Sequence, residues 1–162
     1  MITLAFAESR FNTQSKTLDA VAMLRADHKL VSDLFEEYEA TQVAAKKKII
    51  VAKICTELTV HAQIEEEIFY PAVKQALHDK QLIPEALVEH AAFKELIAQL
   101  EGVEPEGEMF NAKIKVLCEY VKHHVREEQN LMFPKVKSAG LDLEKLGAQI
   151  SERKAQLMIE RS

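Results

Sequence analysis

Tryptophan is absent from this chain, and glycine and proline are scarce, with four of each in 162 residues. So little of the two helix-breaking residues, beside abundant Ala, Leu, Glu and Lys, points to an all-α chain. A dense basic patch is also lacking, and the net charge is −5. That argues against a nucleic-acid partner, whose phosphates demand clustered Lys and Arg. The run Lys46-Lys47-Lys48 reads as a solvated helix start. No apolar run is long enough to span a bilayer. The first residues, Met-Ile-Thr-Leu-Ala-Phe-Ala-Glu, have neither the basic region nor the apolar length of a secretory signal. A cytoplasmic location, away from membranes, is the expectation. There are only two cysteines, which agrees with it, since reducing compartments disfavour structural disulfides. Cys55 and Cys118 read as small buried hydrophobes.

What is present is a duplication. His61-Ala-Gln-Ile-Glu65-Glu-Glu-Ile-Phe-Tyr-Pro71 returns downstream as His124-Val-Arg-Glu-Glu128-Gln-Asn-Leu-Met-Phe-Pro134. Each copy places a Glu at i+4 from a His, a Pro at i+10, and an aromatic just before the Pro. On a helix, positions i and i+4 lie on one face, so each copy aims an imidazole and a carboxylate at the same region. Around the copies, Ile54/Leu117, Leu58/Val121 and Ile68/Leu131 repeat at the same offset of 63 as His61/His124, and so do Cys55/Cys118. Two further histidines, His28 and His90, repeat at an offset of 62, each on its own apolar helical face.

The apolar periodicity predicts four long helices over about 18–39 (N-capped by Thr17), 44–78, 84–100 and 108–137. Pro84 falls at a favourable first-turn position. Pro71 and Pro134 lie inside the second and fourth patterns and predict a kink, or the start of the last turns. Gly102-Val-Glu-Pro-Glu-Gly107 is the clearest loop. Short connections imply an antiparallel up-down-up-down four-helix bundle. A fifth helix, about 142–158, carries Leu143, Leu146, Ile150 and Leu157 on one face. It needs an apolar partner, either the bundle flank or a second copy of the chain in a homodimer. Residues 1–16 read as an irregular segment draped over the bundle. The length suits one domain, 1–162, with its bundle core at about 18–137.

In such a bundle His28, His61, His90 and His124 point inward, joined by Glu65 and Glu128. One histidine on an apolar face is ordinarily a hydrogen-bonded core residue. Four with two carboxylates are another matter, because each uncompensated burial costs several kcal/mol. A shared pair of metal ions satisfies all six. Nitrogen and carboxylate donors without thiolate fit iron, manganese or zinc. Two terminal histidines per ion, with Glu65 and Glu128 bridging, leave open positions for a reactive ligand. His123 falls off the shared face and reads as a surface residue; Glu66, Glu67 and Glu127 fall off it too, with room for one of them to stand behind the ligands, and His78 has neither a repeat partner nor an apolar face.

This set, with its Phe-Tyr-Pro and Met-Phe-Pro echoes, resembles the hemerythrin family, specifically its HHE cation-binding domain, over roughly residues 18–137. The resemblance implies a non-heme di-iron cofactor, bridged by carboxylates and an oxo or hydroxo group. It also implies activity toward dioxygen, peroxide or nitric oxide, including peroxide decomposition under oxidative stress. A non-enzymatic iron or oxygen sensor, or a bundle that keeps metal for structure, is the alternative. Two positions depart from the family's oxygen carriers. Lys94 stands where they place a fifth histidine, one turn after His90, and Gln129 stands where they place an aspartate. Lys94 is therefore a candidate to line the site as a hydrogen-bond or proton donor, with a lysine snorkelling to the bundle rim as the equal alternative.

Overall fold

A computed structural model describes residues 18–162; the expected draped segment and Thr17 lie outside the described residues. Five long helical elements form among the described residues. The first, α1, is Ala20–Ala40. The second, α2 (residues 44–77), joins Ala44–Ile64 and Tyr70–Leu77 through a π turn at Glu65–Phe69. Helix α3 is Leu82–Leu100. Helix α4 (residues 107–138) repeats the plan of α2, with a π turn at Glu128–Met132 between Gly107–Glu127 and Phe133–Ser138. Helix α5 is Leu143–Glu160. The first four make the antiparallel bundle, and α5 lies along its flank.

Helix α1 starts at Ala20, with Asp19 as its cap: the Asp19 carboxylate accepts from the Ala22 N–H at 2.8 Å. Asp79 does similar work for α3, accepting from Leu82 and Ile83 N–H at 3.2 and 2.7 Å, so that helix begins two residues before Pro84. His78 closes α2 in the left-handed conformation, φ 51°, far from any ligand role.

The prolines do not break their helices. Pro71 and Pro134 each fall just after a π turn, in which Tyr70 N–H reaches back to Glu65 C=O and Phe133 N–H to Glu128 C=O. The extra residue in the turn relieves the clash a proline ring makes with the carbonyl four residues back. The ligand candidates Glu65 and Glu128 are the first residues of these two turns.

The core is split. One apolar cluster, around Phe35, Ile54, Leu58, Phe93, Leu100, Phe110 and Leu117, fills the end of the bundle near the 101–106 loop. The other, around Leu24, Ile64, Phe69, Tyr70, Val73, Phe133, Val136 and Ile150, fills the opposite end. Cys55 and Cys118 are both buried and unpaired in the first cluster. Between the clusters lies a polar layer of Asp27, four histidines, Glu65 and Glu128, all buried.

The apolar face of α5 is used within the chain. Ile150 and Leu157 are buried against the second cluster, with Leu143 and Leu146 partly covered. Close approach depends on Gly147: a Cβ there would lie 2.4 Å from the Leu18 carbonyl oxygen and 3.0 Å from the Ala20 nitrogen. No helix among the described residues is long and apolar enough to cross a membrane.

Gly147→Ala separates two effects of opposite sign. Alanine is the better helix former by about 1 kcal/mol, yet the backbone contact forces α5 off α1. The expected outcome is a net loss of about 1–3 kcal/mol, read by chemical denaturation, whereas alanine at an uncrowded helical glycine stabilises.

Candidate metal centre

Each bundle helix contributes one histidine to the polar layer: His28 from α1, His61 from α2, His90 from α3 and His124 from α4. The π turns contribute Glu65 and Glu128. All six expected residues meet, and they form two donor sets, His28/His61/Glu128 and Glu65/His90/His124, each within 4.8 Å. Each carboxylate spans both sets. Glu128 Oε1 is 3.0 Å from His28 Nε2, and its Oε2 is 3.2 Å from His124 Nε2. Glu65 Oε1 is 3.0 Å from His61 Nε2 and 3.4 Å from His90 Nε2. His90 and His124 bring their Nε2 atoms within 3.4 Å of each other.

The opposite ring nitrogens face partners at the edge of the layer. His61 Nδ1 pairs with Asp27 at 2.9 Å, His124 Nδ1 with Glu89 at 3.0 Å, and His28 Nδ1 with Gln129 at 2.8 Å. His90 Nδ1 faces Glu66 at 3.6 Å. Three rings are thereby oriented with Nε2 inward, as ligating histidines are held by a partner on the far nitrogen. Among the described residues, several atoms of the layer lack any hydrogen-bond partner, namely Nε2 of His28 and His61, Nδ1 of His90, both Glu65 oxygens and Glu128 Oε1. Buried polar atoms left so are rare and costly. Carboxylate oxygens and imidazole nitrogens converging in this way fit divalent or trivalent cations once the rings give up their protons.

Tyr70 completes the layer. Its ring is buried, and its hydroxyl donates to Glu128 Oε2 at 2.7 Å. The same oxygen lies 3.3 Å from His90 Nε2 and 3.4 Å from His124 Nε2. Burial, with the charges of Glu128 and Glu65, raises its pKa well above the phenolic range, so Tyr70 keeps its proton. A water-sized cavity beside the layer is walled by the four histidines and by Val31, Leu58, Phe93 and Val121.

Lys94 does not line this space. Half exposed, it grips Glu66 at 2.7 and 2.8 Å, and meets the centre only through that carboxylate. Solvation of the ammonium wins over the inward position expected from register. Glu66 lies off the shared face as expected, yet it touches the layer through His90. Glu67 pairs outward with Arg153 at 2.8 Å, and His123 and Glu127 sit on the surface. Asp27, Glu89, Gln129 and Tyr70 are additions to the expected set. The repeat does mark them: Asp27/Glu89 obey the offset of 62, and Glu66/Gln129 and Tyr70/Phe133 the offset of 63.

The fold and this layer define an all-helical metal-binding protein. The family model for the hemerythrin HHE cation-binding domain matches residues 19–140, and the chain belongs to that family. A hemerythrin HHE cation-binding domain-containing protein from Mycobacterium kansasii, solved by crystallography, shares the fold with TM-score 0.75 at 22% identity, covering 86% of this chain and 87% of that one. A "DNA nickase" from Nostoc sp. is 29% identical over 116 residues, 72% of this chain. The match covers 33% of that relative's length.

The far-side partners and the charges can each be tested. Asp27→Ala leaves His61 Nδ1 without its acceptor and is expected to weaken metal binding about 10–100-fold, measured by competition with a chelator. Protonation is also coupled to binding. Burial opposes charge on His61, but Glu65 and Asp27 overcome it and push the pKa up to about 10. Burial likewise opposes charge on His124, and Glu128, Glu65 and Glu89 push it up to about 12. A raised pKa means the protonated ring stabilises the metal-free fold below about 6.5, an effect lost as pH rises through the folded value. Metal requires the neutral ring. Metal uptake near pH 7 is therefore expected to release protons into weak buffer, seen with an indicator dye, and to weaken as pH falls. Uptake without proton release would show that the rings are already neutral.

Proposed function

We propose that this chain holds a di-iron centre and uses it on a small oxygen species or nitric oxide, with peroxide decomposition the favoured activity. The observation that carries this reading is the span of the two carboxylates. Glu65 and Glu128 each reach histidines of both donor sets, as bridges between paired ions do. His28 and His61 would hold one ion, and His90 and His124 the other. An iron pair supplies Lewis acidity and one-electron redox steps to a small ligand.

The chain's own residues set the rest. Asp27, Gln129 and Glu89 on Nδ1 hold the His61, His28 and His124 rings in place before any ligand arrives. Lys94 adds no donor to the His90/His124 side. Tyr70 keeps its proton and places its hydroxyl oxygen 2.7 Å from Glu128 Oε2 and 3.3 and 3.4 Å from His90 and His124 Nε2, where it would orient Glu128 or hydrogen-bond a small molecule held beside those histidines. The water-sized cavity, walled by the four histidines and by apolar side chains, suits diatomic or peroxidic molecules better than larger substrates. The nickase activity named for the Nostoc relative is not carried over, because this chain spans a third of that protein and is acidic overall.

A sensor reading has its own support. Lys154 on α5 binds Asp27 at 2.5 Å, and Asp27 binds His61, so two hydrogen bonds through Asp27 link α5 to a candidate ligand. Turnover separates the two readings. Protein grown with ample iron is expected to carry two irons per chain and an oxo-bridge absorption, and to consume peroxide catalytically. His61→Ala is expected to lose both. One iron per chain without that absorption would sink the di-iron reading. Full iron with no turnover, and hydrogen exchange in α5 that changes with iron state, would favour the sensor.

A further inference from the structure

A second group of ligand types lies outside the buried layer. Glu89 on α3 and His123 and Glu127 on α4 bring a ligand atom each within 4.8 Å of one another. His123 Nε2 is 3.3 Å from Glu127 and 3.6 Å from Glu89. His123 is 60% exposed, and the group opens into a surface groove that also holds Glu85. An imidazole and two carboxylates at this spacing suit a hydrated divalent cation.

The register ties this group to the centre. Residues 89, 123 and 127 immediately precede the inner residues His90, His124 and Glu128. One step along a helix turns the side chain by about 100°, from the interior to the groove. Glu89 belongs to both places: Oε2 faces His123, while Oε1 accepts from His124 Nδ1 at 3.0 Å. The other half of the repeat is closed. Asp27, the counterpart of Glu89, is bound by Lys154 of α5. The counterparts of His123 and Glu127 are Val60 and Ile64, both buried. Among the described residues, α5 covers the α1–α2 side and no helix covers the α3–α4 side.

We propose that Glu89, His123 and Glu127 form a second cation site through which divalent metal is gathered from solvent and passed to the buried centre. The binding stands on the cluster itself, and its role as an entry station rests on the metal reading above. His123 and Glu127 capture the ion while it keeps most of its water. Glu89 draws it toward the His124 edge of the layer. No bond is made or broken beyond ligand exchange.

The test uses the full chain. Iron-loaded protein is titrated with Mn²⁺, and the signal of free Mn²⁺ is followed by electron paramagnetic resonance. Wild type is expected to bind a further Mn²⁺ ion. His123→Ala and Glu127→Gln, neither of which touches the buried layer, are expected to weaken it about tenfold or more, with the iron content of the centre unchanged. Stopped-flow uptake of ferrous ion by metal-free protein is expected to slow several-fold in both variants, with the same final iron content. Mn²⁺ binding that is absent in wild type or unchanged in the variants overturns the site, and an unchanged uptake rate overturns the entry role. If wild-type protein takes up no iron at all, that failure belongs to the di-iron reading. The Mn²⁺ comparison between wild type and variants still decides the surface site.

Discussion

Two carboxylates, Glu65 and Glu128, are sealed in the middle of the bundle, 0% and 1% exposed. Moving such charges out of water costs several kcal/mol each unless partners surround them. Almost every local feature answers that demand. Four histidines converge on them from four helices, and Tyr70 donates to one of them. The positive charge on His61 and His124 offsets their negative charge and keeps Glu65 ionised, its pKa held well below the usual carboxylate range although burial pushes it upward. The layer cannot sit in water either, because its far-side ring nitrogens are already turned to Asp27, Glu89, Gln129 and Glu66. Apolar clusters on both sides hold it in place and fix the helix lengths needed to close each end.

The π turns serve the same constraint from the backbone. An unbroken α-helix from His61 through Pro71 would set the proline ring against the carbonyl of Glu67. Adding one residue at Glu65–Phe69 removes the clash and rotates the last turns of α2, so Tyr70 faces inward toward Glu128. The second turn, Glu128–Met132, does the same for Phe133, whose ring stacks on His28 at 6.0 Å with planes 6° apart. Proline here marks a change of register and not an end of the helix. Periodicity alone could not show this: a π turn adds a single residue, and the apolar pattern on either side of it still reads as helix.

The sequence therefore shows some levels plainly and hides others. The helices, their loops and the six inward ligand candidates are legible because burial imposes a period of 3.6 and the duplication supplies an internal control. Register leaves Lys94 open between the site and the rim because it fixes the face of a helix but not where a long, flexible side chain ends. The partners at the layer's edge escape notice for another reason. Asp27 and Glu89 each lie one residue before a ligand, a position that pattern reading assigns to a different face, although a side chain there can reach across to the neighbouring helix. Helix α5 fits either the flank or a second copy by its pattern, since an apolar stripe does not name what covers it. Packing on the chain's own flank shows only in three dimensions, where the missing Cβ of Gly147 admits the Leu18 carbonyl.

The duplication is also deeper than a count of ligands, and it is broken in one informative place. Neither repeat builds a donor set alone: Glu128 closes on His28 and His61 of the first half, while Glu65 closes on His90 and His124 of the second. The carboxylates are exchanged, so the halves cannot separate without dismantling both sets. The edge partners follow the same two-fold pattern, Asp27 with Glu89 and Gln129 with Glu66. Tyr70 and Phe133 do not. They occupy equivalent positions, one ring against His90 at 5.4 Å and the other against His28 at 6.0 Å, but only one carries a hydroxyl. The His90/His124 side therefore has a proton donor, the open α3–α4 groove beyond Glu89, and no fifth histidine. The His28/His61 side has an apolar ring, a lysine bound to Asp27, and a covering helix. A symmetric set of candidate ligands therefore sits in an unequal setting, one side covered by an apolar ring and a helix, the other facing the Tyr70 hydroxyl and opening toward a groove.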